Sequence, residues 1–220
     1  MSPILKTVAT FEEFSLVVDC LWESNIDPFN PFMNIIVRIK EPTAEGVAAA
    51  VQEMKECLWK THKADKYSVW VYIVDEYEHG EEPGKVLAGA EWLFHEVNPF
   101  EEKKDDEKQK NKNDEIENGE KKEEGDNSLG SWWPEELSMM FTHPDHRCRG
   151  SGSLLMEYGM RKTTEMNVEA LVEATAGGLP LYEKFGFRTI EIITIDTACR
   201  GGKPGFLWLK MANEIKGKTT

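Results

Sequence analysis

Apolar residues return every three or four positions in two stretches of the N-terminal third. Phe11, Phe14, Val18 and Leu21 mark one face of a helix, and Thr10 with Glu13 supplies the reciprocal capping pair that would start it. Val47, Val51, Met54 and Leu58 repeat the spacing and predict a second helix. The period then changes. Residues 67–75 and 86–97 are β-branched and aromatic runs divided by a Gly/Pro-bearing turn, which predicts a hairpin. Beyond residue 136 the pattern predicts a strand at 137–142, a Gly-containing turn, a helix at 152–166 and a strand at 168–174. A short helix beginning near Pro180 follows, then strands at 188–196 and 206–211 around the turn-forming residues 201–205. Strands and helices mixed in this order give a mixed α/β (α+β) sheet protein, and no internal repeat is visible.

One segment breaks the pattern. From 101 to 126 the chain is nearly all Glu, Asp, Lys, Asn and Gly, with Ile116 its only large apolar residue. Such a stretch cannot repay its ordering entropy, so residues 98–131 are expected to be a disordered charged insertion within a single domain spanning 1–220. The insertion carries about −5 of a formal net charge of −14. That balance repels nucleic acid and anionic membranes and mildly favours cationic partners, and a basic protein recruited by the insertion is the alternative to plain solvated charge. The four cysteines, Cys20, Cys57, Cys148 and Cys199, show neither zinc spacing nor a disulfide framework, which fits reduced thiols inside the cell. No charged start followed by an apolar run opens the chain, and no run approaches the roughly 18 apolar residues of a membrane span. A cytoplasmic protein is expected, with the nucleus as the other compartment, and no metal cluster is expected.

The chemistry concentrates between a predicted strand and a predicted helix, in His143-Pro-Asp-His-Arg-Cys-Arg-Gly-Ser-Gly-Ser153. A helix start offers unpaired N–H groups and a positive dipole end. Gly150 and Gly152 lack the Cβ that would hold an anion away, and Arg147 and Arg149 add local positive charge. Screening over about 8 Å lets these near charges outweigh the distant acidic surface. The spacing is not that of a nucleotide-hydrolysing P-loop or of a dinucleotide fingerprint. Read without a ligand, the glycines permit a tight turn and the arginines are solvated.

Arg147-x-x-Gly150-x-Gly152 resembles the R/Q-x-x-G-x-G/A acetyl-CoA motif of the GNAT superfamily of N-acetyltransferases, and His143-Pro144 stands where that family often has V-x-P. Downstream, Ala174-Thr-Ala-Gly-Gly-Leu-Pro-Leu-Tyr-Glu-Lys-Phe-Gly-Phe187 is similar to the family's second signature, which ends in L-Y-E-K-x-G-F. Gly89-x-Glu91-Trp92 resembles a pattern of fungal members. Thr142 departs from the usual valine, and Thr175 stands where many members carry asparagine.

The resemblance implies a GNAT-like fold: a mixed, mostly antiparallel sheet flanked by helices, with a splayed parallel strand pair. It also implies an acetyl-CoA-dependent acyltransferase moving acetyl to a primary amine of a small molecule by direct transfer in a ternary complex. A protein-lysine acetyltransferase and a non-catalytic acyl-CoA-binding module are the competing readings. By position, the main chain of Met140, Phe141 and Thr142 would hold the acetyl carbonyl, the run Arg147, Cys148, Arg149, Gly150, Ser151, Gly152, Ser153 the phosphates, and Thr175 the pantetheine arm. Tyr182 matches the family's general acid. Glu136 stands at a base position similar to that of some members. Glu91, which interrupts an apolar strand, is the second candidate base, and His95 and His143 are weaker ones. Trp22, Trp70, Trp92, Trp132, Trp133 and Trp208 are candidates for an aromatic wall around the acceptor, with core packing as the alternative.

Overall fold

Two capped amphipathic helices and a hairpin apolar on both faces organise the first half of the fold. The computed structural model describes residues 3–30, 33–75, 84–95, 138–195 and 206–213. The expected insertion at 98–131, the turn at 201–205, and Glu136, Trp132 and Trp133 lie outside the described residues.

Helix α1 (Phe11–Ile26) starts on the expected capping box. The Glu13 N–H donates to Thr10 Oγ1 at 3.2 Å, while the Glu13 carboxylate accepts the N–H groups of Thr10 at 3.3 Å and Ala9 at 2.8 Å. A four-residue helix α2 (Met33–Ile36) precedes α3 (Ala44–Ala64), which Thr43 caps through the Gly46 N–H. Four strands then form one antiparallel sheet in the order β1-β2-β3-β4: β1 (Ile4–Thr7), β2 (Ser68–Val74), β3 (Val86–Leu93) and β4 (Met139–Thr142). Strand β1 was not legible in the pattern, and β3 ends at Leu93, short of the expected 97.

In β2, Trp70, Tyr72 and Val74 point to α1 and α3 and pack with Phe14, Val17, Val18, Leu21 and Met54. Val71 and Ile73 point the other way, joining Ala88, Ala90 and Trp92 of β3 against Leu155 and Met156 of helix α4 (Ser151–Met166). Covered on both faces, β2 reads as a continuous apolar run. Fully burying each large side chain contributes about 1.5–3 kcal/mol, so this two-sided core outweighs any single cap, worth about 1 kcal/mol.

The second ladder has the order β5-β7-β6, all antiparallel: β5 (Ala170–Thr175), β6 (Arg188–Ile195) and β7 (Phe206–Asn213). Ala170, Val172 and Ala174 of β5 share the α4-side core with β2 and β3, as do Tyr182 of the short helix α5 (Leu179–Lys184) and Phe187. Strand β4 ends one ladder and β5 the other, and among the described residues no main-chain pairing joins them. The expected mixed α/β fold is therefore present, its strands in two antiparallel ladders flanked by helices. No helix among the described residues is long and apolar enough to cross a membrane.

Candidate functional site

Strands β4 and β5, each at the edge of its ladder, lead into the two segments that the sequence singled out. After Thr142 the chain makes one 3-10 turn (Pro144–His146) and then turns into α4 through two left-handed residues, Cys148 at φ 59° and Gly150 at φ 93°. A Cβ on Gly150 would meet nothing within 4 Å, so the glycine answers to its backbone angle while the space beside it stays open. Gly150 occupies the cap position of α4 and provides no side-chain hydrogen bond. The N–H groups of Ser151, Gly152 and Ser153 accordingly begin a 16-residue helix without a cap, at the positive end of its dipole. An anion fits there.

Two contacts tie the turn to its neighbours. A Cβ on Gly152 would lie 3.0 Å from Leu181 Cδ2, so the missing side chain lets α5 approach while the Gly152 N–H stays at the helix start. The Arg147 guanidinium is bound to the protein: its Nε donates to the Thr142 carbonyl at 3.2 Å and its Nη2 to the Ser24 carbonyl at 2.8 Å. His143, buried, adds a second tie to the end of α1. Its Nδ1 accepts the Asp145 N–H at 3.2 Å, which leaves Nε2 as the donor toward Glu23 Oε2 at 3.2 Å. Cys148 and Arg149 are exposed. Lys184 brings a further cation, with its Nζ donating to Ser153 Oγ at 3.2 Å.

Those contacts set α5 against the first turn of α4. Following β5, the Gly178 N–H returns to the Thr175 carbonyl at 2.9 Å. The ring of Tyr182 then lies over Gly178, where a Cβ would come 2.7 Å from Tyr182 Cε2. Tyr182 is 6% exposed and packs on Phe187, while its hydroxyl has no hydrogen-bond partner among the described residues. Burial raises the phenol well above its ordinary pKa, so it stays protonated at neutral pH. Met140, Phe141 and Thr142 belong to β4, whose main chain pairs among the described residues with β3 on one side only.

Glu91 does not face an open pocket. It is buried across β2 from Trp70 and across β4 from Met139. Ser68 Oγ donates to Glu91 Oε1 at 2.7 Å, and His62 Nδ1 lies 2.8 Å from the same Ser68 oxygen. Burial pushes the Glu91 carboxyl upward, and the hydrogen bond from Ser68 offsets part of that rise. Neither Ser68 nor His62 was legible as functional, because only the α3–β2 turn brings them to Glu91. His95 lies tilted over Tyr67, and its buried Nε2 has no hydrogen-bond partner among the described residues. Trp70 and Trp92 are fully buried core residues, which removes them from an acceptor wall, and Trp22 is half-buried. Among the described residues no group of acidic, His and Cys side chains is arranged to hold a metal ion.

A family model described as an acetyltransferase (GNAT) domain matches residues 116–189, which include the turn, α4, β5, α5 and Tyr182. No curated protein matches the chain in sequence. Among solved structures, one from Corynebacterium glutamicum described as histone acetyltransferase HPA2 and related acetyltransferase shares 18% identity, with TM-score 0.61 and 100% of both chains covered. A spermidine N-acetyltransferase from Vibrio cholerae shares 12% identity at TM-score 0.53, covering 96% of this chain and 92% of its own. The ribosomal-protein-S18-alanine N-acetyltransferase from Escherichia coli shares 11% at TM-score 0.50, with both chains fully covered. At these identities the structural likeness is one of fold. Residues 116–189 thus carry the signature of a GNAT acetyltransferase domain, on a fold shared with N-acetyltransferases of known structure.

Proposed function

We propose that this protein transfers acetyl from acetyl-CoA directly to a primary amine of a small molecule, in a ternary complex at the β4–β5 seam. The observation that carries the reading is the uncapped start of α4, held against the α5 helix that bears Tyr182. Pyrophosphate would take the free N–H groups of Ser151, Gly152 and Ser153, with Arg149, Cys148 and Lys184 around it. The thioester would then run along the seam past Thr175 toward Tyr182. One unpaired edge of β4 leaves main-chain N–H groups near Met140, Phe141 and Thr142 for the oxyanion that forms when the amine attacks. Tyr182, kept protonated by burial, would hydrogen-bond the departing thiolate. The amine must first lose its proton, for which Glu136 and Glu91 are the candidate acceptors. A spermidine enzyme among the structural neighbours and the acidic balance of this chain both favour a small cationic amine as acceptor. In this reading the chain works as one cytoplasmic domain, with 98–131 a charged insertion outside the chemistry.

Isothermal titration with acetyl-CoA tests the central claim. Wild type should bind, and a folded Gly150→Glu, Gly152→Glu double variant, which sets two carboxylates at the turn, should lose at least tenfold in affinity. If the folded wild type fails to bind, the cofactor assignment is wrong and the turn is only a turn.

A further inference from the structure

Buried carboxylates are costly unless they are bonded, and Glu91 is bonded in a line that leads outward. Its Oε1 accepts from Ser68 Oγ, and Ser68 Oγ meets His62 Nδ1 on α3, a helix that packs on this face of the sheet. His62 is half-buried and its ring is held between Phe14, stacked at 6.2 Å, and Trp59 at 5.4 Å. At the other end, Ser138 lies beside the Glu91 carboxylate, its own N–H donating to the Glu91 carbonyl at 3.1 Å. Ser138 stands two residues before Met140 of β4. Glu91 is thus one strand, roughly 4.8 Å, from the main chain proposed to hold the acetyl carbonyl.

We propose that Glu91, Ser68 and His62 form a proton path that carries the acceptor amine's proton from the β4 side of the sheet to the surface of α3. This rests on the acetyltransferase reading above. The ammonium gives its proton to Glu91, through the Ser138 hydroxyl or a water. The resulting carboxyl O–H donates to Ser68, whose hydroxyl turns from Glu91 to His62 in its Nε2–H tautomer and passes its proton to Nδ1, and His62 then releases the Nε2 proton to solvent. One proton enters and one leaves, and no electron pair changes owner beyond the O–H and N–H bonds. The charged groups facing the line are Asp65 and Lys63 at the end of α3. Burial, then Lys63, lowers the His62 pKa, which favours release, and Asp65 opposes this. Burial raises Glu91, which favours uptake.

The test is thiol release from acetyl-CoA across pH, using whichever of spermidine, phenethylamine or a lysine peptide turns over, with acetyl-CoA titration of every variant. Glu91→Gln should lower kcat by about 100-fold, and Ser68→Ala and His62→Ala by about tenfold at pH 7. Added imidazole should restore His62→Ala, a rescue that a purely structural histidine would not show. If His62→Ala does not fold, His62→Gln, which cannot take up a proton, carries the same loss and the same change of pH profile. Variants that bind acetyl-CoA and keep the wild-type kcat and pH profile overturn the path and leave the acetyltransferase reading standing. A folded wild type that neither binds acetyl-CoA nor releases thiol overturns both.

Discussion

Tyr182 shows how one residue's surroundings decide its chemistry. Its ring is packed over Gly178 and against Phe187, which fixes the direction of the hydroxyl, and burial holds the phenol in its neutral form. A phenol raised above 10 is a weaker acid than a thiol near 8.5, so in the proposed reaction Tyr182 would give the thiolate a hydrogen bond more than a full proton. Tyr182→Phe keeps the ring and the packing and removes only that bond. The expected outcome is a kcat about 10- to 100-fold lower, with acetyl-CoA affinity within about twofold of wild type. Because the folded pKa is raised, Tyr182 should add no alkaline limb to the wild-type kcat profile below pH ~10. Single-turnover and steady-state rates measured from pH 6 to 10 check both points. A Phe variant with unchanged kcat would remove Tyr182 from the chemistry.

At the scale of elements, α1 separates hydroxyl from carboxylate effects within one capping box. The Thr10 hydroxyl does not titrate, so Thr10→Ala should cost about 1 kcal/mol at every pH where the fold survives. Glu13 behaves differently. Its pKa is lowered, first by the Ala9 N–H and also by the bonds from Thr10 and the Tyr72 hydroxyl. A depressed folded pKa gives stability that is present above the unfolded value, about 4.3, and is lost as pH falls through the folded value. Glu13→Gln should therefore lower the urea midpoint at pH 7, and its deficit should shrink toward pH 3 while that of Thr10→Ala persists. Equal deficits at the two pH values would mean that the Glu13 charge plays no part. This cap was readable because its partners lie three positions apart. Strand β1 was not, since only Leu5 of its four residues is even half-buried and its place comes from main-chain pairing with β2. The end of β3 was misplaced for a related reason: the apolar run continues past Leu93, whereas the ladder does not.

Across the whole molecule, the local parts of the site were legible and the long-range ties were not. The glycine turn and the Leu-Tyr-Glu-Lys stretch are each continuous in sequence. In contrast, Arg147 reaches the Ser24 carbonyl 123 positions away, and nothing in the spacing marks a helix end as its partner. The turn's two arginines look equivalent in sequence, and the fold divides their work. Arg147 satisfies one of the orphan carbonyls at the end of α1 and holds the turn to β4 through Thr142. Arg149 is exposed and makes no hydrogen bond or ion pair among the described residues. Arg147→Ala should then destabilise the fold by about 1–2 kcal/mol, a fall in Tm of several degrees for a chain this size, and weaken acetyl-CoA binding by loosening the turn. Arg149→Ala should leave Tm within about 1–2 °C and weaken binding through lost charge alone, so its deficit against wild type should narrow as salt rises from 50 to 500 mM. Thermal melts and titrations at the two salt concentrations separate the roles. If Arg147→Ala melts like wild type while its binding deficit is erased by salt, the guanidinium serves the ligand and the tie to α1 is incidental.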